Sequence, residues 1–291
     1  MQPVQEITKD LRFRNMTAGD IPAGLRLCRA NRWNQLEEDW RLFLLLNPAG
    51  SRVAEKNAEV IGTVATIRYE DRFSWLAMVL VDPRERGVGV GTRLLHEGLA
   101  LLHDQKCVRL DATPAGRQIY QRHGFVQEYT LHRMVGTAGP DRLSSPSHAS
   151  RPMRAEDLPE MMALDTQVFG AHREEVIVDL LHCAPQYAWV LEIDGQLRGH
   201  ILGRPGHLYE HLGPIVARDL ECALRLTAAC LRANPGRIFA IDASSFESGW
   251  REWLIAHGFV EERPFIRMRR GDNHYPGVPE RQFGIVGPEF G

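Results

Sequence analysis

The feature that most constrains the fold is a repeat inside the chain. Arg14, Met16, Ala18, Asp20 and Pro22 recur as Arg151, Met153, Ala155, Asp157 and Pro159, 137 positions later. The same offset carries Val53, Glu55 and Gly62 onto Val190, Glu192 and Gly199. Further along, His123-Gly124-Phe125-Val126 matches His257-Gly258-Phe259-Val260, and Glu128, Arg133 and Met134 fall on Glu262, Arg267 and Met268, 134 positions on. Register held over separate blocks implies two copies of one supersecondary plan. The period is domain-sized, so the chain reads as a tandem duplication and not a solenoid. Its 291 residues fit two domains. Residues 136–150, GTAGPDRLSSPSHAS, are rich in Gly, Pro and Ser without periodicity and read as a linker. The copies are therefore expected at 1–137 and 151–291, joined by 138–150. A Gly- and Pro-rich tail over 271–291 closes the second, with Phe283, Ile285 and Val286 as candidate anchors to a domain surface.

Within the first copy, Asp20 is expected to cap a helix that has Pro22 in its first turn. A second helix follows over 36–46, then a hairpin around Lys56-Asn57-Ala58, whose counterpart Ile193-Asp194-Gly195-Gln196 is the stronger hairpin signal. Residues 75–81 read as a buried strand, 108–111 as another, and 115–123 as a short helix closed by Gly124. Antiparallel strands followed by strand-helix-strand predict an α+β (mixed α/β) fold, with a mixed, mostly antiparallel sheet flanked by helices in each copy.

Composition narrows the function classes. A net charge of −2 gives no basic field for nucleic acid. The apolar runs are far short of the roughly 18 residues of a membrane span, and the polar N-terminus lacks the apolar region of a signal peptide. Five scattered cysteines, Cys28, Cys107, Cys183, Cys222 and Cys230, read as buried free thiols of a reducing compartment. A cytoplasmic location is expected.

The chemistry concentrates in Trp75 to Leu95, WLAMVLVDPRERGVGVGTRLL. A strand stopped at Asp82-Pro83 turns through Gly87, Gly89 and Gly91 directly into a leucine-rich helix. Such a turn presents free backbone N–H groups and the positive end of a helix dipole, which is a phosphate cradle. No Gly-Lys-Ser/Thr follows, which excludes a P-loop, and the glycine spacing is not that of a dinucleotide fold.

The order Arg86-x-x-Gly89-x-Gly91 after a central strand resembles the pyrophosphate-binding motif of the GNAT superfamily of N-acetyltransferases. The segment GRQIYQRHGF resembles that family's second motif, where a tyrosine precedes Gly-Phe by four residues; here it is Tyr120. The resemblance covers nearly all of the first copy and makes the chain a tandem GNAT-like protein. It implies transfer of an acetyl group from acetyl-CoA to an amine within a ternary complex. Val79, Leu80 and Val81 would pair with the pantetheine arm, with an N–H near Leu80 or Val81 as oxyanion donor, a group typically worth about 3–4 kcal/mol. Arg86, Gly87, Val88, Gly89, Val90, Gly91 and Thr92 would hold the diphosphate, and Arg122, with Arg93 and Arg117, would offset remaining phosphate charge. Tyr120 would protonate the leaving sulfur. Asp111, ahead of Glu70 and Asp71, is the candidate base for the acceptor. Trp33 and Asn34, between the first two helices, would shape the acceptor pocket, with Trp40 more readily a core residue.

The second copy lacks both signatures. After the strand 213–217, Arg218-Asp219 leads straight into a helix with no glycine loop, and the position of Tyr120 is taken by Leu254. That copy is expected to be degenerate, either walling the acceptor pocket or only stabilising the first. Its His207-Leu-Tyr-Glu210-His211 matches an inverted zinc-protease pattern, but flanking Gly and Pro leave too little room for the helix that chemistry needs; no metal is expected. The partners expected are a small-molecule amine or peptide acceptor, with no nucleic acid and no membrane; the oligomeric state stays open, a homodimer included. The alternative functions are a non-catalytic acyl-CoA sensor, an aminoacyl or sugar-amine acyltransferase of the tandem type, and a purely structural module.

Overall fold

A computed structural model describes residues 11–137 and 149–291; the linker expected at 138–150 lies outside them up to residue 148. The first copy runs β1 (Leu11–Asn15), α1 (Ile21–Ala30), α2 (Glu37–Leu46), β2 (Ser51–Lys56), β3 (Glu59–Tyr69), β4 (Phe73–Val81), α3 (Val90–Leu101), β5 (Cys107–Ala112), α4 (Pro114–Arg122) and β6 (Val126–Gly136). The second repeats that order as β7 (Ser150–Pro152), α5 (Leu158–Phe169), α6 (Glu174–Cys183), β8 (Trp189–Ile193), β9 (Gln196–Arg204), β10 (Glu210–Ala217), α7 (Leu220–Ala233), β11 (Phe239–Ser244), α8 (Ser248–Ala256) and β12 (Phe259–Gly271), and the tail adds β13 (Gln282–Gly284). This is the mixed, mostly antiparallel α/β architecture expected from the pattern.

The repeat is visible in side chains as well as in element order. Asp20 does not cap α1; its carboxylate accepts from Thr17 N and pairs with Arg14, which also binds Glu55. Asp157 likewise accepts from Arg154 N and pairs with Arg151, which also binds Glu192. The residues that repeat in the sequence are thus the members of one recurring triad. The hairpin turns match too. Asn57 and Ala58 have φ of 50° and 62°, and Asp194 and Gly195 have 54° and 70°, the left-handed pairs that suit a two-residue hairpin.

All thirteen strands of the described residues form one sheet, in the order β1-β2-β3-β4-β5-β12-β6-β11-β13-β10-β9-β8-β7. The last strand of each copy is exchanged. β12 pairs with β5 of the first copy, and β6 pairs with β11 of the second. The two exchanged strands also pair with each other, with Leu131 opposite its own repeat counterpart Phe265, so a pseudo-twofold axis passes there. Two buried ion pairs follow this symmetry. Arg267 of β12 binds Asp111 of β5 through Nε and Nη2 at 2.6 and 3.0 Å, and Arg133 of β6 binds Asp242 of β11 at 2.7 and 2.6 Å.

The main core also crosses the copies. Leu27, Trp40 and Phe43 of the first pack in one buried cluster with Met161, Phe169 and Ile177 of the second and with Val286 and Phe290 of the tail. Phe283, Ile285 and Val286 are interior residues rather than anchors to an outer surface. Of the cysteines, Cys28, Cys107, Cys222 and Cys230 are buried, Cys183 is half-buried, and all are unpaired. No helix among the described residues is long and apolar enough to cross a membrane.

Candidate active site

A bulge opens the sheet between β4 and β5. Across β3, Thr63 faces Leu80 and Ala65 faces Ala77, so β4 carries one residue too many, and Met78 sits at φ 53°. Beyond that point β4 leaves β5, and only Ser74 and Trp75 pair with Val108 and Arg109. Asp82 N donates to Ile61 O across β3. By the alternation of an antiparallel ladder, the Val81 N–H therefore faces the opposite edge, towards the gap. A cavity of about 740 Å³ fills this gap.

The cradle forms one end of the cavity. Gly87 and Gly89 have φ of 82° and 91°, and a Cβ at either would meet nothing within 4 Å. Gly89 is the N-cap of α3, which docks on the sheet through Val90, Leu94, Leu95 and Gly98. The N–H groups of residues 86–92 donate to no acceptor among the described residues, and the first helical bond runs from Arg93 N to Gly89 O at 3.0 Å. Val79, Leu80, Val81, Arg86, Gly87, Gly89, Val90, Gly91 and Thr92 all line the cavity, whereas Val88 is exposed outside it. Arg86 donates to Oδ1 of Asn31, which also lines the cavity.

Tyr120 enters from α4, whose first turn is capped by Thr113 accepting from Gly116 N. Its ring packs edge-on against Phe125 at 5.8 Å. Burial pushes its phenol up to about 12, and its hydroxyl has no hydrogen-bond partner among the described residues. Tyr120, Gly116 and Ile119 share the cavity face of α4.

Three expectations need correction. Arg122 is exposed and outside the cavity wall, because two residues past Tyr120 a helix has turned to its opposite face; Arg93 and Arg117 are also exposed and outside it. Asn34 reaches the wall, and its amide is tied to the second copy: Oδ1 accepts from Leu208 N and Tyr209 N, and Nδ2 donates to Tyr209 O. It clamps the second copy to the first, a role the sequence reading did not give it. Asp111 lines the cavity, with both oxygens held by Arg267; burial raises its pKa and Arg267 opposes that. Its counterpart Asp242 is held the same way by Arg133 in the copy without a cradle, so the pair serves the strand exchange. Glu70 accepts from His172 N and, with Asp71, lies outside the cavity. Trp33 does line the cavity, and Trp40 is fully buried core.

Part of the cavity wall is built by residues that the sequence reading did not assign to the site. Arg263 and Phe265 come from the exchanged β12, Arg133 from β6, and Pro288 and Glu289 from the tail. The tail is held there by Trp75 Nε1 donating to Pro288 O at 2.9 Å and Tyr69 OH donating to Phe290 O at 2.7 Å.

The corresponding gap in the second copy is filled. β10 carries the same one-residue bulge after Leu212 and also parts from β11 after two paired residues. There β13 enters, with Gly284 facing both Ile215 and Ala243. Trp250 of α8 donates to Phe283 O at 2.9 Å. The helix start that would face a diphosphate is capped by its own anion, Asp219, which accepts from Cys222 N at 2.9 Å. Leu254 is buried core. The segment 207–211 is no helix: His211 lies in β10, buried against Asp242.

Two family models, each described as an acetyltransferase (GNAT) domain, match residues 47–127 and 161–284. The chain is 26% identical over 244 residues to a holothin acyltransferase of Pseudoalteromonas sp. (strain SANK 73390), covering 83% of this chain and 82% of that protein. It is 22% identical to the uncharacterized N-acetyltransferase YitH of Bacillus subtilis (strain 168), covering 82% and 84%. The fold matches a putative acetyltransferase from Pyrococcus horikoshii with a TM-score of 0.81, 18% identity and coverage of 100% and 99%. It also matches a tandem GNAT protein from the clavulanic acid biosynthesis pathway with a TM-score of 0.64, 14% identity and coverage of 89% and 98%. Both halves of the duplicated chain thus match one family, and the chain belongs to the GNAT acetyltransferases as a tandem acyltransferase enzyme.

Proposed function

We propose that the protein is an N-acetyltransferase whose first copy transfers the acetyl group of acetyl-CoA to a primary amine in a ternary complex. One observation carries this reading: Arg86, Gly87, Gly89, Val90, Gly91 and Thr92, whose N–H groups are unengaged among the described residues, line the same cavity between β4 and β5 as Tyr120. Relatives named acyltransferase and N-acetyltransferase support the reaction class.

The residues fit the co-substrate. Open space at Gly87 and Gly89 admits a diphosphate against the backbone, and the helix start of α3 favours its charge. Acetyl-CoA would supply an activated acyl group as a thioester. The Val81 N–H, aimed into the gap, is the donor suited to negative charge on the carbonyl oxygen. Tyr120 keeps its proton at neutral pH, with a phenol pushed up to about 12 by burial, and can release it to a departing sulfur. The acceptor must arrive as or become a free amine, since an ammonium has no lone pair to attack with.

A thiol-release assay with acetyl-CoA against panels of amines, amino acids and peptides tests the reading. Tyr120→Phe is expected to lower kcat about a hundredfold or more, with the acetyl-CoA Kd from calorimetry held within about twofold. An enzyme that binds acetyl-CoA and acetylates nothing would leave only the sensor reading standing.

A further inference from the structure

The charges in and behind this part of the cavity wall do not balance locally. Arg133 is matched by Asp242 and Arg267 by Asp111. Arg204 faces two carboxylates, Asp39 at 2.5 Å and Glu289, so this buried cluster has an excess negative charge. Of the two acids, Glu289 is the one in the cavity wall. Burial opposes its ionised form, but Arg204, with a hydrogen bond from Gln35 and with Arg133 behind it, holds it below the usual carboxylate range. It stays an anion at neutral pH.

Arg263 is the opposite case. It lines the same cavity, its Nε is buried with no hydrogen-bond partner, and it makes no ion pair with any described residue. Its acidic neighbours are engaged elsewhere: Glu262 accepts from Tyr209 OH, and Glu261 faces His132 and Arg251. Its guanidinium lies 5.5 Å from the Phe265 ring centroid, which limits its freedom without neutralising it. A half-buried cation with an orphaned donor calls for an anion.

We propose that the acceptor is a zwitterion, a small molecule carrying a primary amine and a free carboxylate, with its carboxylate on Arg263 and its amine drawn to Glu289 as an ammonium that gives up its proton to solvent water before it attacks. This rests on the acetyl-transfer reading. Both residues come from outside the first copy, so the strand exchange and the tail supply the acceptor's two contacts. A charged hydrogen-bonded pair of this kind discriminates by roughly tenfold or more against a neutral analogue.

The experiment uses the full chain, acetyl-CoA and three matched sets of probes: amino acids, their carboxamides and the corresponding decarboxylated amines. At least one amino acid should show a kcat/KM about tenfold or more above its amide and its decarboxylated amine. Arg263→Gln should bring that ratio towards one, chiefly through the KM of the acid, and Arg263→Lys should restore part of it. Glu289→Gln should raise the KM of acids and amides alike. Equal or better turnover of the decarboxylated amines by the parent enzyme overturns the proposal, as does a ratio untouched by Arg263→Gln. Turnover of no amino acid also overturns it. In that case acetylation of any other amine leaves the acetyl-transfer reading in place, while absence of acetyl-CoA binding in calorimetry removes both.

Discussion

The same gap is cut into this sheet twice and closed only once. Between β4 and β5 a bulge at Met78 splays the strands and leaves a cavity of about 740 Å³. Between β10 and β11 an equivalent bulge splays them again, but β13 lies in the opening and Asp219 sits where an incoming anion would go. The duplication preserved the backbone device and discarded the chemistry. Sheet geometry follows from strand register, which is shared; ligand binding follows from free N–H groups and empty volume, which are not.

What the copies share most closely is the exchanged ion pair, and breaking it should have the largest effect. Asp111→Ala and Asp242→Ala each leave a buried arginine unmatched, and each should lower unfolding free energy in urea by about 3–5 kcal/mol. Similar losses would mark Asp111 as a structural counter-ion, whereas a much smaller loss for Asp111 with a collapse in kcat would return it to catalysis. The filled gap comes next. Phe283→Ala removes a fully buried ring packed against Trp250 and should lower stability by about 3 kcal/mol or more, without creating a second acetyl-CoA site in calorimetry.

In the open gap, Gly89→Val puts a β-branched residue at φ 91° and a side chain where the diphosphate would lie. Acetyl-CoA binding should weaken about tenfold or more. If the affinity held, the cradle reading would fail. The smallest effect is expected at the second helix start, where Asp219→Ala removes a cap worth about 1 kcal/mol. That loss should appear in thermal melts, again with one acetyl-CoA bound per chain. A second equivalent of ligand would mean that β13 does not fill the gap.

Much of this was legible beforehand because it is local. The strand-glycine-helix turn, Tyr120 four residues before Gly124, the hairpin turns and the loss of the cradle at Arg218-Asp219 each depend on neighbours within a few positions. Arg122 is exposed away from the cavity because a residue near a motif in sequence can face away from it on a helix. Asn34 and Asp111 were assigned ligand chemistry because their true partners, residues 208–209 and Arg267, lie far along the chain.

The amino-acid order by itself determined the duplication, the α/β plan of each copy and the backbone of the phosphate-type cradle, since these follow from periodicity, turn chemistry and glycine placement. Tertiary structure alone decided that β6 and β12 change places, that the tail closes one gap, and that Arg263 and Glu289 wall the other. Strand pairing is set by long-range packing and by ion pairs such as Arg133–Asp242 and Arg267–Asp111, formed between residues more than a hundred positions apart. No local pattern reports which edge a strand will join.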